Sequence, residues 1–96
     1  MTRWVIAPQA ADDLERLTDF LLESLPHEAA TTVDLVVDAL GVLEHHPLMG
    51  RPLSHGLREL VISRGRTGYL ALYQYDAQAD MVLVLAVKHQ REQGYN

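Results

Sequence analysis

Four side chains could supply the groups that cleave a phosphodiester through a neighbouring ribose 2′-hydroxyl. That reaction needs a base, an acid and a cation that stabilises the pentavalent phosphorane. His89 changes charge near neutral pH, and Arg58, Arg91 and Tyr95 could supply the cation and a second proton carrier. The simpler interpretation, which we favour, is that Lys88 to Glu92 are solvated polar residues at the end of an apolar strand.

A second set of residues could contact a partner instead of doing chemistry. Three tyrosines alternate along one apolar run and could form a platform on which bases stack, although half-buried strand residues with wet hydroxyls are the plainer interpretation. Two arginines flank a glycine at a predicted turn, and the chain has one lysine. The binding candidates are Tyr69, Tyr73, Tyr75, Arg64, Arg66 and Lys88.

The histidines do not predict a metal site. Among His45, His46, His55 and His89, no pair has the i, i+4 spacing of a helical zinc site, and no carboxylate pattern accompanies them. The chain has no cysteine, which excludes thiolate ligands and disulfides. We therefore expect no metal and no cofactor.

Three apolar runs predict an antiparallel meander that positions these side chains. They are RELVI from Arg58, YLALYQY from Tyr69 and MVLVLAV from Met81, with short polar turns between them. The last run is apolar at every position, which predicts a central strand covered on both faces, with Leu85 fully buried. In the middle run we expect the leucines to face the core and the tyrosines to line a more open face.

The first half of the chain predicts a short strand and two helices. RWVI, from Arg3, is the strand; Pro8 and Pro26 each stand where the first turn of a helix tolerates proline. Apolar residues recur at helical spacing after both prolines, and Gly41 could allow the two helices to pack closely. The segment from His45 to Leu57 contains two prolines and two glycines, which predicts a loop.

These elements predict one α+β domain over residues 1–96, in the order β-α-α-β-β-β. The helical hairpin should pack on one face of a mainly antiparallel four-stranded sheet, with the first strand beside the last. The inventory leaves the other face of the sheet uncovered. An uncovered apolar face usually marks a site for a partner.

The charge is uneven along the chain. The net charge is -5, which argues against non-specific nucleic-acid binding by the whole surface. Residues 1–46 carry nine acidic and two basic side chains, whereas residues 47–96 carry four acidic and six basic ones. The second half could therefore present a local patch that attracts acidic groups. No segment reads as a signal peptide or as a membrane span.

Four motifs, together with the order of the elements, resemble the RelE/ParE superfamily of type II toxin–antitoxin toxins. The motifs are HPLMGRPL, RELVI, GYLALYQYD and VLAVKHQREQGY, and the resemblance covers nearly the whole chain. It implies a small toxin of the bacterial cytoplasm that is neutralised by a cognate antitoxin protein. Homo-oligomers or hetero-oligomers with the antitoxin are both compatible with it.

The resemblance also implies two alternative targets. RelE-like members cut messenger RNA on the ribosome, and they carry an arginine after the Gly-Tyr of the middle strand and lysines on the strand before it. This chain has Leu70 and Glu59 at those places. ParE-like members inhibit DNA gyrase by binding it, and we predict that activity, with no catalytic residue. The alternatives are a RelE-like endoribonuclease that uses Arg58, His89, Arg91 and Tyr95, and an interaction module without toxicity.

Overall fold

The computed structural model describes residues 2–64 and 67–90. Two of the predicted catalytic residues, Arg91 and Tyr95, and the binding candidate Arg66 lie outside this part, as does the side chain of Arg64. The elements are β1 (Arg3–Ile6), α1 (Pro8–Ser24), α2 (Pro26–Val42), β2 (Arg51–Pro52), a single 3-10 turn (Ser54–Gly56), β3 (Leu57–Arg64), β4 (Thr67–Asp76) and β5 (Met81–His89).

The strands form one mixed sheet in the order β1-β5-β4-β3-β2. β1 runs parallel to β5, and the other neighbours are antiparallel. The predicted α+β architecture is confirmed, as is the place of the first strand beside the last. The sheet has a fifth strand because Arg51 and Pro52 pair with the start of β3. Neither α1 nor α2 is long and apolar enough to cross a membrane.

Each helix begins at a proline, and one residue joins the two helices. Pro8 and Pro26 occupy first-turn positions, and Leu25 breaks the helical geometry with φ -141° and ψ 64°. The buried positions of α1 follow the helical period, as do those of α2. They are Ala10, Asp13, Leu17 and Leu21 on α1, and Ala29, Thr32, Val36 and Leu40 on α2. The expectation that Gly41 permits close helix packing is wrong, since nothing lies within 4 Å of the place its Cβ would take.

The tyrosines of β4 face the helices, so the expected orientation of this strand is wrong. Tyr69 and Tyr73 are buried with Ala71, whereas Leu70 and Leu72 are only partly covered. Both sets of β4 residues are largely apolar, so alternation alone left the choice open. The cross-strand partners decide it, because the tyrosine set shares its face with buried residues of the neighbouring strands. These partners are Leu60, Ile62, Val82, Val84 and Val87.

β5 is an interior strand, but helices cover only one of its faces. Val82, Val84 and Val87 are buried against the hairpin, whereas Leu83 and Leu85 are half-buried. The predictions that this strand is covered on both faces and that Leu85 is fully buried are therefore wrong. The alternation of β5 shifts by one residue at a bulge, since Leu72 pairs with Ala86 but the next residue, Tyr73, pairs with Val84. This bulge lets the tyrosine face of β4 stay opposite buried valines along its length.

Candidate functional site

The sheet face turned away from the helices is apolar. We call it the open face and define it by Val5, Leu57, Val61, Leu70, Leu72 and Leu83, which share one side of the sheet in the strand register. Val5 and Val61 are 44% and 49% exposed, and the four leucines are partly buried. A contiguous apolar surface of this kind usually marks a protein interface.

One ion pair lies at the β2 end of the open face. Glu59 is buried although it stands on this face, because Arg51 on the edge strand lies against it. The Arg51 guanidinium donates from Nε (2.8 Å) and from Nη2 to the same carboxylate oxygen of Glu59. Glu59 thus occupies the place where the nuclease pattern would have a cation, and Arg51 of the same chain neutralises its charge.

The loop Pro47–Gly50 is fastened to the sheet by Tyr73. The Tyr73 hydroxyl donates to the carbonyl oxygen of Pro47 at 2.8 Å and accepts the backbone N–H of Gly50 at 2.8 Å. Burial raises the pKa of Tyr73 above its ordinary value of 10.0, while the Gly50 N–H and the charge of Arg58 lower it in part. The hydroxyl is therefore a neutral structural group near pH 7, with both its donor and acceptor roles used.

Arg58 is the second group that holds this loop. Its Nη1 donates to the carbonyl oxygens of Leu48 (3.1 Å) and Gly50 (2.7 Å). Arg58 stands opposite Tyr73 in the β3–β4 register, whereas His89 stands opposite Tyr69, four rows further along the sheet. At about 3.3 Å per residue, the two rows are roughly 13 Å apart. The structure therefore does not bring Arg58 and His89 into one catalytic site.

His89 packs edge-on against Tyr69 at the other end of the sheet. Their ring centroids are 5.3 Å apart and the rings are nearly perpendicular, at 85°, a favourable aromatic geometry. Tyr69 is 2% exposed, and its ring lies beneath the helices. Tyr69 and Tyr73 therefore present almost no surface to a partner, and they do not form the stacking platform that was the less favoured interpretation.

Tyr75 and Lys88 are the binding candidates with accessible side chains in the described part. The Tyr75 hydroxyl donates to Asp80 Oδ1 at 2.8 Å, and the Thr2 hydroxyl donates to the same oxygen at 2.6 Å. These two bonds lower the pKa of Asp80, and the bond to Asp80 raises the pKa of Tyr75. Lys88 stands opposite Leu70, at the rim of the open face. Within residues 2–64 and 67–90, no three histidines and carboxylates are grouped as metal ligands would be.

Asp13, Gly50 and the Arg51–Glu59 pair are the structural residues that the sequence interpretation missed. Asp13 is one of three acidic residues near the start of α1, with Asp12 and Glu15. Its spacing was a usable signal, because it falls three residues after Ala10 and four before Leu17, on the buried stripe of α1. Gly50 also carried a signal, since a glycine beside Arg-Pro in a loop often marks a close backbone approach.

The fold is a small α+β domain with two helices on one face of a five-stranded sheet and a largely apolar open face. The chain belongs to the family described as the ParE toxin of type II toxin–antitoxin systems, parDE, which it matches over residues 5–94. It is a toxin of a type II toxin–antitoxin system within the RelE/ParE superfamily, as its motifs indicated.

A relative in sequence and two solved structures support this family assignment. The chain is 33% identical over 87 residues to Toxin RelE3 of Caulobacter vibrioides, covering 91% of this chain and 92% of that protein. Its fold resembles the chromosomal ParDE system of P. aeruginosa, with a TM-score of 0.77 at 22% identity, covering 93% of this chain and 96% of that one. It also resembles the RelBE2 toxin–antitoxin complex of Mycobacterium tuberculosis, with a TM-score of 0.60 at 29% identity, covering 93% and 98%.

Proposed function

We propose that this toxin inhibits DNA gyrase by binding it, without chemistry of its own, in the bacterial cytoplasm. A cognate antitoxin protein neutralises it by covering the open face. The match to the ParE family over residues 5–94 supports this choice of target. No cofactor or metal is required for inhibition by binding.

The placement of Arg58 is the observation that carries the non-enzymatic proposal. Phosphodiester cleavage depends on cations aimed at the phosphorane before reaction, and one such donor is worth about 100- to 1000-fold in rate. Arg58 instead gives its Nη1 donor to two loop carbonyls. At the two places where the nuclease pattern has cations, this chain has Leu70, which is uncharged, and Glu59, whose carboxylate is bound to Arg51. Acid–base help from His89 is worth only about 100- to 10,000-fold, too little to offset two missing cations.

The open face supports the antitoxin as a partner. Its apolar side chains offer anchors for an extended or helical segment, and the uncovered area lies on the side opposite the helical hairpin. The solved structures that this fold resembles include toxin–antitoxin complexes, such as RelBE2 of Mycobacterium tuberculosis. We place the antitoxin on the leucines and valines of the open face, because the tyrosine face is already occupied by the helices.

One observation favours a second candidate, a ribosome-dependent messenger RNA endoribonuclease. The Caulobacter relative at 33% identity is named Toxin RelE3. In this alternative, His89, Arg91, Tyr95 and Arg58 carry the chemistry. Arg58 stands opposite Tyr73 and gives its Nη1 donor to two loop carbonyls, whereas His89 stands opposite Tyr69. The separation of these two residues is the reason that we favour gyrase binding.

Two assays on the purified toxin test the proposal. The first measures inhibition of DNA supercoiling by gyrase, and the second maps cuts in messenger RNA by primer extension on programmed ribosomes, with an authentic RelE-like nuclease as positive control. We expect supercoiling to be inhibited and transcripts to stay intact. Cuts that are positioned by codons and vanish in Arg91→Ala would replace gyrase inhibition with the endoribonuclease.

A further inference from the structure

The loop Pro47–Gly50 exposes two large apolar side chains on a backbone that is held in place. Leu48 is 58% exposed and Met49 is 56% exposed, among the highest values for large apolar residues in the described part of the chain. A single exposed apolar residue is ordinary. Here two adjacent ones stand on a loop of four residues whose backbone makes four hydrogen bonds to Tyr73 and Arg58.

A buried residue of the core supplies hydrogen bonds that hold this exposed loop. The Tyr73 ring is completely buried, and its hydroxyl serves the loop on both sides. A side chain at Gly50 would meet Tyr73 Cε1 at 2.6 Å and the Glu59 carbonyl oxygen at 2.9 Å. The core therefore determines the loop conformation. An anchor that is already ordered loses little conformational entropy when it docks.

The charge around the loop indicates the chemistry of the partner. The net charge of the chain is -5, yet the segment from His45 to Arg58 contains no aspartate or glutamate. Of its two arginines, Arg51 is paired with Glu59, whereas the Arg58 guanidinium lies directly against the loop carbonyls. The surroundings of Leu48 and Met49 thus favour carboxylates on the facing surface.

We propose that Leu48 and Met49 are the docking anchors for the protein that the toxin inhibits, and that they enter an apolar pocket rimmed by carboxylates on that protein. The identity of this protein as DNA gyrase rests on the function proposed above. A flat apolar face suits an extended antitoxin segment, whereas an exposed loop with a fixed backbone suits a preformed pocket. Self-association of two chains through this loop is a separate outcome that the light-scattering experiment below distinguishes.

The test compares a double variant, Leu48→Ser with Met49→Ser, against Phe20→Ser. Phe20 is 62% exposed on α1, so its replacement removes similar apolar surface at a distant place. We expect the double variant to need at least about tenfold more protein for half-maximal inhibition of gyrase supercoiling and to lose growth inhibition on induced expression. Phe20→Ser should retain both, and thermal melts should show that both variants fold.

A third variant separates the anchors from their fastening. Tyr73→Phe keeps Leu48 and Met49 but removes the hydroxyl that holds Pro47 and Gly50. We expect Tyr73→Phe to inhibit less strongly than the wild type and more strongly than the double variant. Full potency of the double variant, or an equal loss in Phe20→Ser, would overturn the proposal.

Two further readouts distinguish the other occupants and the proposed function. Light scattering that shows a wild-type dimer and a monomeric double variant would assign the loop to self-association and overturn the proposal. If the wild type leaves gyrase unaffected but arrests growth, gyrase is not the target, and the proposed function fails by itself. The growth assay then tests the role of the loop. Loss of growth arrest in the double variant, but not in Phe20→Ser, supports Leu48 and Met49 as anchors, whereas arrest by the double variant overturns that role.

Discussion

The carboxylate of Asp13 on α1 accepts the backbone N–H of Val87 on β5 at 3.0 Å. β1 pairs with β5 only as far as Val84, so within residues 2–64 and 67–90 no strand lies on that side of β5 beyond this point. The helix supplies the missing acceptor through one buried side chain. Asp13 also accepts a hydrogen bond from Gln9, at 3.0 Å, which orients the carboxylate.

Replacing Asp13 with alanine should destabilise the toxin by about 1–3 kcal/mol, because the buried N–H of Val87 loses its acceptor. Asp13→Asn keeps a carbonyl acceptor and should lose less. Asp12 is exposed on the same helix, so Asp12→Ala is the matched control, with a change within about 0.5 kcal/mol. Urea unfolding followed by circular dichroism measures all three. Equal losses for Asp12→Ala and Asp13→Ala would contradict this role.

Two glycine-to-alanine changes should have opposite signs. Gly50→Ala places a Cβ within 2.9 Å of Tyr73 and the Glu59 carbonyl and should cost about 1–3 kcal/mol. Gly41→Ala meets nothing within 4 Å and adds a better helix former, so it should stabilise α2 by up to about 1 kcal/mol. Thermal melts of the two variants beside the wild type give the comparison. A stabilised Gly50→Ala protein would show that the loop is not held against Tyr73.

Tyr73→Phe should lower stability more than Tyr75→Phe does. The Tyr73 hydroxyl joins two backbone groups of the loop, and its loss leaves both without that partner, at about 1–3 kcal/mol. The Tyr75 hydroxyl makes an exposed bond to Asp80, which water can replace. Chemical unfolding at pH 7 is the measurement, and a larger loss for Tyr75→Phe would reverse the assignment.

The stability of the toxin should depend on Asp80 in a defined pH range. Hydrogen bonds from Thr2 and then Tyr75 lower the pKa of Asp80 in the folded protein below its ordinary value of 3.8. A lowered pKa means that the ionised form stabilises the fold above pH 3.8, and that this contribution disappears as the pH falls through the folded-state value. Asp80 has φ 50°, which asparagine also tolerates. Asp80→Asn should therefore melt below the wild type at pH 7, and the gap should close in strong acid.

The order and the layers of the fold were predictable because local patterns specify them. Prolines began both helices where expected, and the apolar runs became strands. The orientation of β4 was not predictable, since Leu70, Leu72, Tyr69 and Tyr73 are all apolar enough for either face. The partners across the sheet decided it, and these depend on a bulge in β5 that has no local signature.

In the candidate site, too, the sequence indicated residues of interest but not the groups that they contact. The sequence predicted a loop from His45 to Leu57, which holds for residues 47–50 but not for β2 at Arg51–Pro52. It also singled out Arg58 and Tyr73 as functional candidates. Their actual bonds are to the backbone of that loop, at separations of 8 and 10 residues for Arg58 and of 23 and 26 residues for Tyr73. Long-range hydrogen bonds to backbone groups leave no spacing pattern, which is why Arg58 resembled a catalytic cation.

The parallel pairing of β1 with β5 joins the first and last described strands, Arg3 opposite Met81. Contacts between such distant segments form late, because the loop between them must close first. A nascent chain that stops before Met81 has no partner for β1 and no N–H for Asp13. β1 thus gains its strand partner only after β5 has been synthesised. Products truncated before Met81 should therefore lack the completed sheet.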